Sequence, residues 1–341
     1  MTPPHVAAAF TRQAKACANL DSPFMAQLCT LFATRDWPQT SATARIFAWQ
    51  GDLTPAGESV PLRLAGALHA LRLKGLALVD IYPPVQASDD ALWAAVCGAM
   101  VAHDGFINDW IDSAPQTNEV RRSAVLITVG HALAARYPMD FVVRELGASG
   151  GLNLRWDLYG LRIGDTLFGH DDVLTLTPDW EGPLPPATRP RVASTAGVDL
   201  NPLDPTDPDD ALRLQAYLWP DQPERLTRTQ AAITAATVPV TQGDAIDWLA
   251  ENIDQPDNTL QLIYHTVAWQ YFPKAAQTRG TALIEAAGAK ATEETPLAWF
   301  GMENDGAGPG AALTLRLWPG DLRIDLGRAD FHGRWVKWKG M

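Results

Sequence analysis

An apolar run, Phe141-Val142-Val143, leads directly into Arg144-Glu145-Leu146-Gly147-Ala148-Ser149-Gly150-Gly151-Leu152-Asn153. An unbroken aromatic and β-branched stretch of this kind reads as a strand buried on both faces. The glycines behind it permit a tight turn and close approach of the backbone to a neighbour or a ligand. A helix is expected to follow, and its first N–H groups would suit an anionic group. Strand, turn and helix in that order build open parallel sheets, which bind ligands beyond the carboxyl ends of their strands.

The rest of the chain divides around this segment. Residues 5–138 read as helices separated by breakers such as Asp21-Ser22-Pro23, Gly51-Asp52 and Tyr82-Pro83-Pro84. Val6, Phe10, Ala14 and Cys17 share one helical face. From Pro138 onward strands and helices alternate. Strands are expected near 162–176, at 192–199, 259–267 and 297–302, with a helical stretch at 209–236 and another at 274–290. Leu313 and Trp318 lie on one side of Pro319-Gly320-Asp321 and Leu322 and Leu326 on the other, which is a hairpin signal. The expected fold class is therefore α/β: a mostly parallel sheet with an antiparallel edge hairpin, preceded by an all-helical N-terminal domain. The expected division is a helical substrate or lid domain over residues 1–114 and a sheet domain over 115–341, with an inserted hairpin at about 160–190.

The net charge of −12 disfavours a polyanionic partner such as nucleic acid. The three cysteines, Cys17, Cys29 and Cys97, form no CxxC pair and read as reduced thiols of a cytoplasmic protein. No apolar stretch approaches the length of a membrane span. The seven histidines are scattered, with no HExxH or Cys/His cluster, so no metal site is expected.

Glu145-Leu146-Gly147-Ala148-Ser149-Gly150-Gly151 resembles the first motif of the class I S-adenosylmethionine-dependent methyltransferases, an acid and a Gly-rich turn behind an apolar strand. A nicotinamide fingerprint would instead read G-x-G-x-x-G. The resemblance covers roughly residues 115–338 and implies a seven-stranded Rossmann-like sheet that binds S-adenosylmethionine. It implies that Glu145, Gly147, Ala148, Ser149, Gly150 and Gly151 cradle the methionine end of the cofactor. It further implies that Asp199, in Gly197-Val198-Asp199, accepts the two ribose hydroxyls, and that Asp244 and Ala245, in Gln242-Gly243-Asp244-Ala245, lie beside the adenine. As structural alternatives, Asp199 would form an Asx turn and Asp244 would cap a helix. The interval from Gly147 to Asp199 is longer than in the resembled family. The phrases LGASGGLNLRWD and AYLWPDQPERL also resemble an uncharacterised bacterial domain family.

For chemistry, His265 is the first candidate base, because its ordinary pKa lies near neutrality, against the alternative of a histidine satisfied by hydrogen bonds inside the sheet edge. It sits in Leu262-Ile263-Tyr264-His265-Thr266, where the resemblance places the transferable methyl. Glu119 is the second candidate. Asn118, Tyr159, Trp219 and Asp221 are candidate substrate contacts, weighed against a capping box at 117–119, packing roles, and a helix corner at 217–222. The implied reaction is methyl transfer to a small molecule or a protein side chain. The rivals are a nicotinamide-dependent oxidoreductase and a methyltransferase-like protein that binds without turnover.

Overall fold

A computed structural model describes residues 2–236, 238–253 and 256–341. It separates into two compact units: Met1–Thr117 with Asp207–Thr227, and Asn118–Thr206 with Arg228–Met341.

The first unit is helical. It holds α1 (Pro4–Asn19), α2 (Pro23–Thr34), α3 (Ser41–Phe47), α4 (Val60–Leu73), α5 (Asp89–Ala102) and α6 (Asp104–Trp110). The face of α1 that carries Val6, Phe10, Ala14 and Cys17 is buried, as the helical spacing requires. Phe10, Phe32 and Trp37 meet at its centre with ring centroids 4.7–5.3 Å apart.

The second unit begins with α7 (Ser123–Arg136), whose residues from Ser123 to Ala134 are all buried. It is followed by β1 (Asp140–Leu146), β2 (Gly160–Ile163), β3 (Thr166–Gly169), β4 (Thr175–Leu176), β5 (Asp179–Glu181) and β6 (Arg191–Asp199). The chain next supplies α8 (Pro208–Ala216) to the helical unit, and the boundary between units falls within α9 (Pro223–Ala235). The expected continuous helix over 209–236 is thus two helices, interrupted at 217–222. Pro220 and Pro223 there cannot donate a helical hydrogen bond. Beyond α9 come β7 (Val240–Gln242), α10 (Ala245–Asn252), β8 (Thr259–Thr266), α11 (Lys274–Gly288), β9 (Leu297–Glu303), β10 (Ala311–Trp318), β11 (Leu322–Ala329) and β12 (Trp335–Trp338).

The main sheet has nine strands rather than seven, in the order β5-β12-β11-β10-β9-β8-β1-β6-β7. From β9 to β7 every neighbour is parallel. β9, β10, β11 and β12 form an antiparallel arm, and β5 adds the last edge parallel to β12. β2, β3 and β4 make a separate small sheet, in which β2 and β3 are a hairpin around Gly164. β8 is buried at every residue, as a central strand covered on both faces must be. Trp248 and Leu249 of α10 and Ile284 of α11 pack on Leu146, Val198, Ile263 and Leu297. Among the described residues, no helix is long and apolar enough to cross a membrane.

One expectation fails next to the motif. No α-helix follows the glycine turn. Residues 147–155 run through successive turns, ending in a short 3-10 helix at Trp156–Leu158. Gly147, Ser149 and Gly151 all have positive φ, and alternating left-handed residues cannot enter a right-handed helix. Trp156 and Tyr159 therefore lie in or beside this irregular segment, not on a crossover helix, and both are buried.

Candidate functional site

Taking the five parallel strands in chain order (β1, β6, β7, β8, β9), their spatial order is third, second, first, fourth, fifth. The order reverses between β1 and β8, and that reversal is where an open α/β sheet leaves a crevice at its carboxyl edge. Register brings Glu145 opposite Gly197 on one side and Tyr264 on the other, while His265 pairs with Gly301. Glu145, Asp199, His265 and Glu303 thus end four neighbouring strands.

The turn after β1 is tied down by its own backbone. The N–H groups of Gly147 and Ala148 both donate to the Val198 carbonyl, and that of Gly151 donates to Ala148. Ser149 N–H donates to Asp199 Oδ2 at 2.8 Å, and Leu152 N–H to Asn118 Oδ1 at 2.8 Å. A Cβ on Gly147 would stand 2.6 Å from that of Ala268, so the glycine is needed for close approach of the loop after β8. Gly147, Ala148, Ser149 and Gly151 therefore spend their N–H groups on the protein. Ser149 Oγ is buried without a partner among the described residues.

Asp199 joins two loops. Its Oδ2 holds Ser149, and its Oδ1 accepts from Asn201 N–H at 3.0 Å, closing an Asx turn. A carboxylate offers about four lone-pair sites, so two remain. Asp244 caps α10, its Oδ1 accepting from Ile246 and Asp247 N–H groups, and Ala245 is the first residue of that helix. Gly243 N–H donates to the Asp199 carbonyl, which sets the two acids at adjacent strand ends.

Glu145 is fully buried. Burial pushes its carboxyl up to about 8, against the opposing pull of the Tyr264 hydrogen bond and the Arg122 charge; Asp199 adds to the rise. Tyr264 Oη lies 3.2 Å from Glu145 Oε2 and 3.0 Å from the Asn153 carbonyl. A phenol has one proton to give. When Tyr264 donates to Asn153, the protonated Glu145 carboxyl donates to the phenol oxygen, and all three groups are satisfied. Native Glu145 holds its proton at pH values where the unfolded chain has lost it. Stability should therefore fall as pH rises from the ordinary carboxylate range to about 8. Glu145→Gln is expected to flatten that decline, read as urea midpoints at pH 5, 6.5 and 8. Superimposable profiles for the two proteins would rule it out.

His265 is not placed as a free base. Its Nδ1 lies 2.7 Å from Glu303 Oε1, and its Nε2 accepts the Trp299 indole N–H at 3.0 Å. Its ring stacks on Trp269 with centroids 4.9 Å apart. Glu119 is also engaged: its Oε1 accepts from Arg121 N–H, and its carbonyl accepts from Asn153 Nδ2. Asn118 and Glu119 thus both anchor the turn after β1, the first through its side chain and the second through its carbonyl. Tyr159 donates its hydroxyl to the Leu152 carbonyl at 2.7 Å, and burial raises its pKa. Trp219 and Asp221 belong to the helical unit, where Asp221 accepts from Ser22 Oγ at 2.6 Å and Phe24 N–H at 2.9 Å at the start of α2.

Three residues at this edge were not singled out from the sequence. Glu303, at the end of β9, accepts the N–H groups of Ala268 and Trp269 on Oε1 and that of Gln270 on Oε2, so it organises the loop after β8. Arg122 donates to the carbonyls of Thr266 and Phe331, with Glu119, Glu303 and Glu145 in its field. Asn153 bonds Ser123 Oγ through its Oδ1 at 2.7 Å. The run Asn118-Glu119-Val120-Arg121-Arg122 was the available signal for Arg122, whereas nothing local marks Glu303. Among the described residues, no group of three or more His, Cys, Asp or Glu could hold a metal ion.

Residues 7–338 match the family described as "uncharacterized protein conserved in bacteria (DUF2332)". The chain belongs to that family. No curated protein and no solved structure matches it. In this DUF2332 chain the match spans both the helical and the sheet unit, so the four acid- and histidine-bearing strand ends lie within the family's own extent.

Proposed function

We propose that this protein binds S-adenosylmethionine at the carboxyl edge of β1, β6 and β8 and transfers its methyl group to a small molecule or a protein side chain. The observation that carries this reading is the reversal of strand order between β1 and β8, with Glu145 and Asp199 ending the neighbouring strands β1 and β6. The residues fit the cofactor through side chains rather than through backbone N–H groups. Ser149 Oγ is a buried polar atom without a partner among the described residues, and Asp199 keeps lone pairs for a vicinal diol. Glu145 would face the amino-acid end, and Asp244 and Ala245, at the start of α10 beyond β7, would lie toward the base.

When bound, S-adenosylmethionine supplies an electrophilic methyl on a positively charged sulfur. The chain's part is to orient the acceptor and keep water away. Asp199→Ala should weaken S-adenosylhomocysteine binding by about 1–3 kcal/mol, measured calorimetrically on a variant with native circular dichroism. Unchanged affinity would remove Asp199 from the site. Binding of NADH in place of S-adenosylhomocysteine would replace the whole reading with the oxidoreductase one.

The engagement of both His265 nitrogens and the structural use of Glu119 favour a second reading, cofactor binding without turnover. A methyl-transfer screen that stays silent while S-adenosylhomocysteine binds would select it.

A further inference from the structure

Arg122 stands immediately before α7, in a segment held against the turn after β11: a Cβ on Gly333 would lie 2.6 Å from the Arg121 carbonyl. The residue is half-buried, and its side chain bridges two loops of the sheet unit. Nε donates to the Phe331 carbonyl at 2.9 Å, and Nη1 donates at 3.0 Å to the carbonyl of Thr266, the last residue of β8. Both partners are neutral. Nη2 donates to nothing among the described residues, yet it is not sealed in, unlike the partnerless Nε atoms of Arg72 and Arg144. The free edge of the guanidinium therefore meets solvent at the carboxyl end of β8.

Among the described residues, no acid pairs with it. Glu119, Glu303 and Glu145 lie in its field, but each is engaged elsewhere. Glu119 accepts from Arg121 N–H, Glu303 accepts from His265 and three backbone N–H groups, and burial keeps the proton on Glu145. Burial outweighs these acids and holds the guanidinium below its ordinary pKa, so its charge is incompletely balanced. A partly buried charge without a partner is costly, and an anion brought by a ligand would offset that cost. The planar fork of a guanidinium matches the two oxygens of a carboxylate.

We infer that Arg122 binds the α-carboxylate of S-adenosylmethionine through the guanidinium edge that carries Nη2. The assignment rests on the cofactor reading above, in which Glu145 faces the amino-acid end. Arg122 and Glu145 lie within each other's field, so one amino-acid head group answers both, its carboxylate at the guanidinium and its ammonium toward the acid. His265, at the end of the same strand, is already occupied on both nitrogens by Glu303 and Trp299. The two carbonyls that hold Arg122 fix its fork before the ligand arrives, which lowers the entropy cost of binding.

S-adenosylhomocysteine and S-adenosyl-3-thiopropylamine, the same molecule without its carboxylate, are titrated separately into the full-length protein and followed by calorimetry. The wild type should prefer S-adenosylhomocysteine by about tenfold or more. In Arg122→Gln, which keeps a side-chain N–H for one of the two carbonyls, that preference should disappear, because S-adenosylhomocysteine alone is weakened. A purely structural role for Arg122 would weaken both ligands alike and leave the ratio unchanged. Arg122→Lys, which keeps the charge but not the fork, gives the same reading if the first variant does not fold, and should lose most of the preference. Equal affinities in the wild type, or a preference that survives in the variant, overturn the assignment and leave the cofactor reading standing. Failure of the wild type to bind S-adenosylhomocysteine at all overturns both.

Discussion

Glu303→Ala is expected to destabilise the protein by about 3 kcal/mol, the cost of leaving the His265 ring N–H and three backbone N–H groups without their acceptor. The carboxylate accepts from His265 Nδ1 and from three consecutive backbone N–H groups at 268–270, and among the described residues no other side chain accepts from those donors. Removing it leaves the loop after β8 without its anchor and the His265 ring without its orienting partner. Burial alone would raise the Glu303 carboxyl, but the hydrogen bond from His265, with the N–H groups of Ala268 and Gln270, outweighs it and holds it below its ordinary value. A depressed acid contributes stability above its unfolded pKa and loses it as pH falls through the folded one. The gap between wild type and Glu303→Ala in urea unfolding should therefore be full at pH 7 and shrink below the ordinary carboxylate range. A gap under about 1 kcal/mol at pH 7 would show that the loop holds itself. The opposite signs at Glu145 and Glu303 have one cause: Glu145 is served by a phenol, Glu303 by a ring and a row of amides.

Gly147→Val should cost about 3 kcal/mol or more, from two separable sources. Valine at φ +76° is strained because its branched Cβ meets the carbonyl. The new Cβ would also stand 2.6 Å from that of Ala268. In a double-mutant cycle, Ala268→Gly should recover part of the loss by removing the second clash while leaving the first. Strict additivity of the two variants would mean that the turn after β1 and the loop after β8 do not press on one another. The experiment matters for the proposed site because these loops flank the reversal of strand order.

The apolar strand at 141–143, the glycine turn and the alternation of strands and helices after Pro138 were legible because each is a local pattern. So was the face of α1, where spacing alone selects Val6, Phe10, Ala14 and Cys17. The helix expected after the turn was not there. Glycine and serine composition permits left-handed backbone but does not say at how many residues it is used. Asp199 and Asp244 could each be read as a ligand acid or as a turn or cap residue, and their structural uses are both realised. His265 looked like a base because an imidazole's pKa is a property of the residue. Its occupation by Glu303 and Trp299 is a property of two neighbouring strands, β8 and β9, brought together.

Residue chemistry and short-range periodicity by themselves determined that this chain would form a helical part and a sheet of largely parallel strands, with an acid and a glycine turn behind the first of them. Tertiary structure alone decided the reversal between β1 and β8, the placement of Arg122 in the field of both Glu145 and Glu303, and the return of residues 207–227 to the helical unit. The physical reason is range. Backbone preference and amphipathic spacing act over a few residues, whereas strand order, carboxyl burial and the pairing of donors with acceptors depend on groups tens to more than a hundred positions apart in the chain.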